Sequence, residues 1–176
     1  MKRGKIHIYY GEGKGKTTAA LGLVVRSLGW GRKVAVFFFL KPVTTGEVKF
    51  LSRIPEVKIF CYKQVHPIFW KNSREKYEWR KLLAEVERAL SDLEIVIREG
   101  YDLVILDEIL NLLDIGLVTE EYILDILNSK TGKTEVVLTG RKCPSALRKY
   151  AHYLSQIKSV KNPFCAGEKA RRGIEY

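Results

Sequence analysis

The sequence predicts an α/β protein built on a mostly parallel sheet with helices on both faces. Three observations predict it. Strand-like and helix-like segments alternate along most of the chain, the order that βαβ units impose. Most of the strand-like segments are continuous apolar runs rather than alternating ones, as in strands covered on both sides. The chain has 176 residues, 46% of them hydrophobic and 29% charged, a globular composition large enough for one sizeable core. No repeat or low-complexity linker divides it, so residues 1–176 are expected to form a single domain.

The elements follow in order. "KIHIYY" (5–10) is a β-rich run that ends at glycines, and "TTAALGLVVRSLGW" reads as a helix closed by Gly29. "KVAVFFFL" (33–40) is a continuous apolar run from Val34 onward, rich in β-branched and aromatic residues, as a doubly covered strand is. Pro42, Gly46 and Pro55 mark residues 41–56 as loop with a short helix, and "VKIFCY" (57–62) alternates as a strand. Residues 63–73 are irregular. Leu82, Val86, Leu90, Leu93 and Ile97 then share one helical face, which stops at Gly100. "DLVIL" (102–106) is a buried strand, a helix is expected near 120–128, and "TEVVLTG" (134–140) is the next strand. "SALRKYA" predicts a short helix before a last strand near 153–158. The tail from 160 to 176 has no period.

Bulk properties limit the functions available. The longest uninterrupted apolar run, Val34 to Leu40, is seven residues, far below the ~20 that a membrane helix needs. The first residues lack the apolar core of a signal peptide. Cys61, Cys143 and Cys165 form no C-x-x-C pair and the three histidines are scattered, which argues against a Cys/His metal site and for reduced thiols in a cytoplasmic protein. The net charge of +11 admits nucleic acid, a polyphosphate ligand or general solubility. Its signs are interleaved in "REKYEWRKLLAEVERAL", and only the stretch from Arg141 onward is one-sided.

Five motifs carry the chemistry. The first is "GEGKGKTT" (11–18), placed between a strand and a helix. The common phosphate-binding loop, G-x-x-x-x-G-K-[ST], would put its first glycine at Tyr10; here it comes one residue later, at Gly11. Gly11, Gly13 and Gly15 allow positive φ and turn successive N–H groups inward, and the following helix adds its N-terminal amides. Lys16 supplies a point charge, and the Thr17 hydroxyl can ligate Mg²⁺. The bland alternative is a glycine-rich turn with accidental lysines. The second motif, "YDLVILDE", ends a strand in Asp107 and Glu108, where such proteins hold Mg²⁺ directly or through water; an acidic helix cap is the alternative. In the third, "VVLTGRKCP", Arg141 follows a strand and can hold a phosphate oxygen with two hydrogen bonds. The fourth, "QVHPIFWKN" (64–72), puts His66, Phe69 and Trp70 in a loop, as a binding surface or a core plug. The fifth is the tail, whose Phe164, Ile174 and Tyr176 are interleaved with basic residues and could fold back over a polyanion. These motifs follow predicted strands, where open α/β sheets bind ligands. The fold class is that of the P-loop NTPases, RecA-like in arrangement.

Together these residues resemble the P-loop-type ATP:cob(I)alamin (corrinoid) adenosyltransferases. That family's loop reads G-N-G-K-G-K-T-T, with the same shortened spacing as residues 11–18. "GEVKF", "LVILDE", "LTGRKCP" and "VKNPFCAGEKARRGIEY" match its pattern in order, so the similarity covers nearly the whole chain. The resemblance implies transfer of the 5′-deoxyadenosyl group of ATP to reduced cobalt with release of tripolyphosphate. It implies a nucleotide lying reversed in the loop, so that the cradle holds a leaving group. Gly11 to Thr18 would cradle the triphosphate, Thr17 and Glu108 would ligate Mg²⁺ (Mn²⁺ could serve), and Lys16 and Arg141 would act as catalytic cations. Phe69 and Trp70 would face the corrinoid. ATP is then a substrate, and a corrinoid, a reductant or reductase and a second copy in a homodimer are the expected partners.

The chain departs from the family pattern in three places. Only about four residues precede the first strand, where relatives often carry a covering segment. Ile68 stands where the family's loop phenylalanine would fall, with Phe69 next to it. "AHYLSQ" replaces a pattern near A-D-x-V-[ST]-E, losing both acids at His152 and Gln156. Two other classes compete with the transferase: another P-loop ATPase or kinase of unknown substrate, and a RecA-like nucleic-acid-binding module. The interleaved charge and the lack of an aromatic–basic stripe argue against the last.

Overall fold

The computed structural model describes residues 3–41, 43–61, 76–163 and 167–176. The strands are β1 (Ile6–Tyr10), β2 (Val34–Phe38), β3 (Val57–Cys61), β4 (Leu103–Asp107), β5 (Glu135–Gly140) and β6 (Tyr153–Gln156). The helices are α1 (Lys16–Leu28), α2 (Gly46–Leu51), α3 (Lys76–Val96), α4 (Ile109–Asp114), α5 (Glu120–Ser129) and α6 (Ser145–Tyr150). Among the described residues the strands form one sheet of order β3-β2-β4-β5-β1-β6, and every recorded pairing is parallel. The mostly parallel sheet expected from the sequence is therefore present.

The two faces of the sheet carry separate cores, because neighbouring residues of a strand point to opposite sides. Val34, Val36 and Phe38 of β2 pack with Ala20 and Val24 of α1 and Val48 and Leu51 of α2. Ala35 and Phe37 pack on the other side with Leu82, Val86 and Leu93 of α3, together with residues of α4, α5 and α6. All five residues of β2 and of β4 are buried, the physical reason that these strands read as unbroken apolar runs. No helix among the described residues is long and apolar enough to cross a membrane.

Two local differences from the sequence reading stand out. Helix α4 was not expected: "ILNLLD" is short and follows the strand with no loop between them. It starts at Glu108, a non-glycine residue with φ 67°, so the chain reverses from strand to helix within one left-handed residue. The last strand is shorter than 153–158, and all four of its residues are exposed. It pairs with β1 on one side and closes that edge of the sheet.

Candidate functional site

Parallel strands bring their carboxyl ends to one edge, and the loops after β1, β2, β4 and β5 meet there. At Tyr10 the strand simply continues one residue beyond the usual start of the loop. Tyr10 is buried and pairs with Gly140 in register, and the Arg148 guanidinium lies 5.1 Å from its ring centroid. The glycine that opens the loop is thus displaced to Gly11, which takes φ 120°.

The loop is pinned from both sides. The Gly11 amide donates to the carbonyls of Gly140 and Arg141 at 3.1 and 2.9 Å, and the Gly13 amide donates to the Ile157 carbonyl at 2.8 Å. These two amides anchor the loop rather than face a ligand, against the expectation that successive N–H groups turn inward, and of the three glycines only Gly11 and Gly15 take positive φ. The amides that begin α1 have no side-chain cap, since its N-cap is Gly15 at φ 118°. A Cβ on Gly11 would stand 2.4 Å from the Ile157 carbonyl oxygen. Gly11→Ala is therefore expected to lose roughly 1–3 kcal/mol of stability from backbone strain alone and to weaken ATP binding. Denaturant titration beside ATP titration checks this; an alanine variant with unchanged stability and affinity would show that the pinned geometry is dispensable.

Lys16 folds back over the loop, donating to the Gly11 and Gly13 carbonyls at 2.6 and 2.8 Å. Burial pushes its ammonium below the usual lysine range, with Arg141 adding to the effect against the opposing carboxylates. Two neutral carbonyls are weak partners for a cation beside what a phosphate offers. Lys16 is thus a charge held at the loop with no carboxylate bonded to it.

Asp107 ends β4 fully buried. It accepts from Thr17 Oγ1 at 3.0 and 3.2 Å and from Thr139 Oγ1 at 2.7 Å, and pairs with Lys41 Nζ at 3.0 Å. Lys41 also bonds Glu47 at 3.0 Å. Burial opposes the Lys41 charge, but the Asp107 and Glu47 carboxylates outweigh it and hold the ammonium above the usual range. The network ties β1's loop, β2, β4 and β5 together beneath the cradle. Sequence reasoning passed over Lys41, Thr139 and Glu47. Lys41 carried a signal: it stands immediately after the apolar run 33–40, at a carboxyl strand end.

Glu108 faces the same cavity. That cavity, of about 420 Å³, is lined by residues of the loop from Gly13 to Thr18, by Lys41, Glu47 and Glu108, and by Gly173 to Tyr176 of the tail. The Glu108 amide donates to Thr139 Oγ1 at 2.8 Å, which fixes its left-handed backbone. Burial, and then the neighbouring Asp107 charge, raise its carboxyl to about 7. The folded protein therefore holds this proton more tightly than the unfolded chain does. The stability it contributes is present below about pH 4.5 and is lost as pH rises through about 7. The difference in unfolding free energy between the ligand-free protein and Glu108→Gln should fall by on the order of 3 kcal/mol across that window. Denaturant unfolding at a series of pH values reads it, and a difference flat with pH would refute the assignment.

The tail reaches the loop through Glu175, which accepts from Lys14 Nζ at 2.9 Å and from Arg171. Those hydrogen bonds, Arg171's first, hold the Glu175 carboxyl down at about 2. Arg141 takes another position. Its backbone amide donates to Asn111 Oδ1 at 2.8 Å, and its Nε lies 4.0 Å from Glu12. It lines a neighbouring cavity with Tyr10, Asp114 and Arg148, and its charge is felt at both Lys16 and Glu108. Phe69, Trp70 and His66 lie outside the described residues.

The chain is 32% identical over 178 residues to the corrinoid adenosyltransferase of Escherichia coli (strain K12), covering 99% of this chain and 87% of that protein. It is 31% identical to the corrinoid adenosyltransferase CobA of Salmonella typhimurium, covering 99% and 87%. Against the corrinoid adenosyltransferase of Pseudomonas aeruginosa the figures are 30%, 99% and 85%. The profile of the family described as ATP:corrinoid adenosyltransferase BtuR/CobO/CobP matches residues 2–176. A phosphate loop with the family's shortened spacing, backed by the Asp107–Glu108 strand end and matched over nearly the full length, settles the relationship: the chain belongs to the ATP:corrinoid adenosyltransferase family.

Proposed function

We propose that this protein transfers the 5′-deoxyadenosyl group of ATP to the reduced cobalt of a corrinoid and releases tripolyphosphate. The observation that carries the reading is the convergence of Lys14, Lys16, Thr17, Lys41 and Glu108 on one cavity in a chain that belongs to the family end to end. In the reaction, Co(I) supplies the electron pair that forms the bond to C5′. The C5′–O bond breaks, and the triphosphate leaves with its electrons. The protein's task is to place C5′ and to stabilise the departing charge.

In this reading residues 11–18 cradle the triphosphate. Lys16 exchanges its two carbonyl partners for phosphate oxygens, and Arg141 adds its charge beside the polyanion. Asp107 is already engaged with Lys41, Thr17 and Thr139, which leaves Glu108 as the carboxylate available to a cation. The hydroxyl of Thr17 and the carboxylate of Glu108 are hard oxygen donors that fit Mg²⁺, which fills its remaining positions with phosphate oxygens and water. Bound there, Mg²⁺ would supply further neutralisation of the leaving group. Phe69 and Trp70 are proposed to face the corrinoid. A reductant is required to keep cobalt as Co(I), and a homodimer acting in the cytoplasm completes the proposal.

The test is a product analysis with Mg-ATP and chemically reduced cobalamin, anaerobic and in the dark. Tripolyphosphate appearing together with a light-sensitive adenosylated corrinoid is the expected result. ADP and orthophosphate formed with or without corrinoid would overturn the reading in favour of a hydrolase or kinase, which acts at the γ-phosphate.

A further inference from the structure

A further ligand-sized cavity lies at the amino ends of the strands and therefore on the edge opposite the phosphate loop. It measures about 720 Å³, larger than the phosphate cavity and within the ~300–1,000 Å³ typical of small-molecule sites. Its walls come from the start of β1, the segment before β5, and the turn that follows α1. None of the chemistry proposed above uses it.

Its charge is unbalanced. Arg3, Lys5, Arg26, Arg32 and Lys133 line it, and among the described residues no ion pair or side-chain hydrogen bond engages any of the five. The two acids in the wall are already committed. Asp102 accepts from the Lys33 amide at 3.1 Å. Glu135 accepts from the Lys5 amide at 2.6 Å and bonds His7 Nε2 at 2.7 Å.

Its rim is aromatic. Trp30, 80% exposed, stands at the mouth of the cavity beside its cations. The indole is not on a loose loop. The Trp30 and Arg32 amides both donate to the Ser27 carbonyl, at 3.0 and 3.1 Å, and the Gly31 amide donates to Leu28 at 2.9 Å. Across the cavity Tyr153, itself half exposed, stacks on His7 with ring centroids 4.5 Å apart.

We propose that this cavity binds a nucleotide, its base against Trp30 and its phosphates among the five cations. Arginines in this setting suit phosphate oxygens, which they hold bidentately. An exposed aromatic face suits any base, because stacking does not depend on sequence. The site is distinct from the phosphate loop and does not depend on the transferase reading.

Equilibrium dialysis of the full chain with labelled ATP, at low salt and without corrinoid, tests it. Two sites per chain are expected, with one remaining in Lys16→Ala. On that background, Arg26→Glu with Arg32→Glu should abolish the remaining site, and Trp30→Ala should weaken it about tenfold. All three residues are on the surface, and thermal melting confirms that each variant is folded. In the wild-type loop background these changes should leave adenosyl transfer unaltered. A single site, lost with Lys16→Ala, would overturn the proposal. So would a second site that inorganic tripolyphosphate fills as tightly as ATP and that ignores Trp30→Ala, which would make it a bare polyanion site. A single-stranded oligonucleotide displacing ATP at far lower concentration would instead make the surface a nucleic-acid contact, and would also overturn it.

Discussion

Replacing Lys16 with alanine is expected to lower kcat/KM for ATP by about 10²–10³-fold, the usual effect of removing one preorganised donor from a developing negative charge. Its ammonium already lies over the loop, on the Gly11 and Gly13 carbonyls, so little rearrangement separates its resting and working positions. The same ammonium holds the triphosphate before and during its departure, so ATP binding is lost along with rate and the variant shows a raised KM as well as a lowered kcat. Lys16→Arg should not rescue, because the carbonyl cage at 2.6 and 2.8 Å fits a compact ammonium rather than a planar guanidinium. Steady-state kinetics with ATP varied at saturating reduced corrinoid reads both parameters. A variant with nearly wild-type kcat/KM would remove Lys16 from the mechanism.

Asp107→Ala is expected to be the most damaging single change to stability. It removes the acceptor for Thr17 and Thr139 and leaves Lys41, with a side chain only 17% exposed, facing Glu47 alone. Breaking a buried pair from one side typically costs about 3–5 kcal/mol, which for a chain of this size lowers Tm by roughly 10 °C. Asp107→Asn should fall between the variant and the wild type, since the amide keeps the shape and one acceptor. Adding Lys41→Met to Asp107→Asn should recover part of the loss by removing the stranded charge. Thermal melts of the wild type, Asp107→Asn, Lys41→Met and the double variant form a cycle; if the double variant were no better than Asp107→Asn alone, the ion pair would not be what holds these strand ends together.

Much of this was legible from residues alone, and the pattern of success has physical causes. β2 and β4 were readable because burial on both faces forces them to be apolar throughout, and the phosphate loop because positive φ forces glycine. Glu108 was readable as a cavity carboxylate because it follows a buried strand. What was not legible depends on long-range pairing. Lys41 and Asp107 are far apart in the chain and meet only because β2 and β4 pair, and nothing local marks a lysine as the partner of a distant aspartate. Helix α4 escaped because the turn that starts it uses Glu108 rather than glycine in a left-handed conformation, held by the Thr139 hydroxyl from another strand. The expected inward direction of the glycine amides failed in detail for the same reason: Gly11 and Gly13 donate to carbonyls from β5's end and from Ile157, partners invisible in the motif. Arg141 was readable as a residue at a strand end, but the Asn111 side chain that holds its backbone amide, from α4, was not.

The link between Gly13 and Ile157 has a further consequence, for the order in which the native protein loosens. β6 is the shortest strand, a sheet edge with every residue exposed, and edges of this kind open at the lowest free energy of any part of a fold. The Ile157 carbonyl that holds the phosphate loop sits one residue past that strand, next to the Ile157 amide that donates to Tyr10. Fraying of the edge and slackening of the loop are therefore one local event. Amide hydrogen exchange at Gly13 should keep pace with β6 rather than with the slow core amides of β2 and β4. A protein adapted to higher temperature could rigidify its nucleotide loop without altering one residue of it, simply by strengthening the strand beside it.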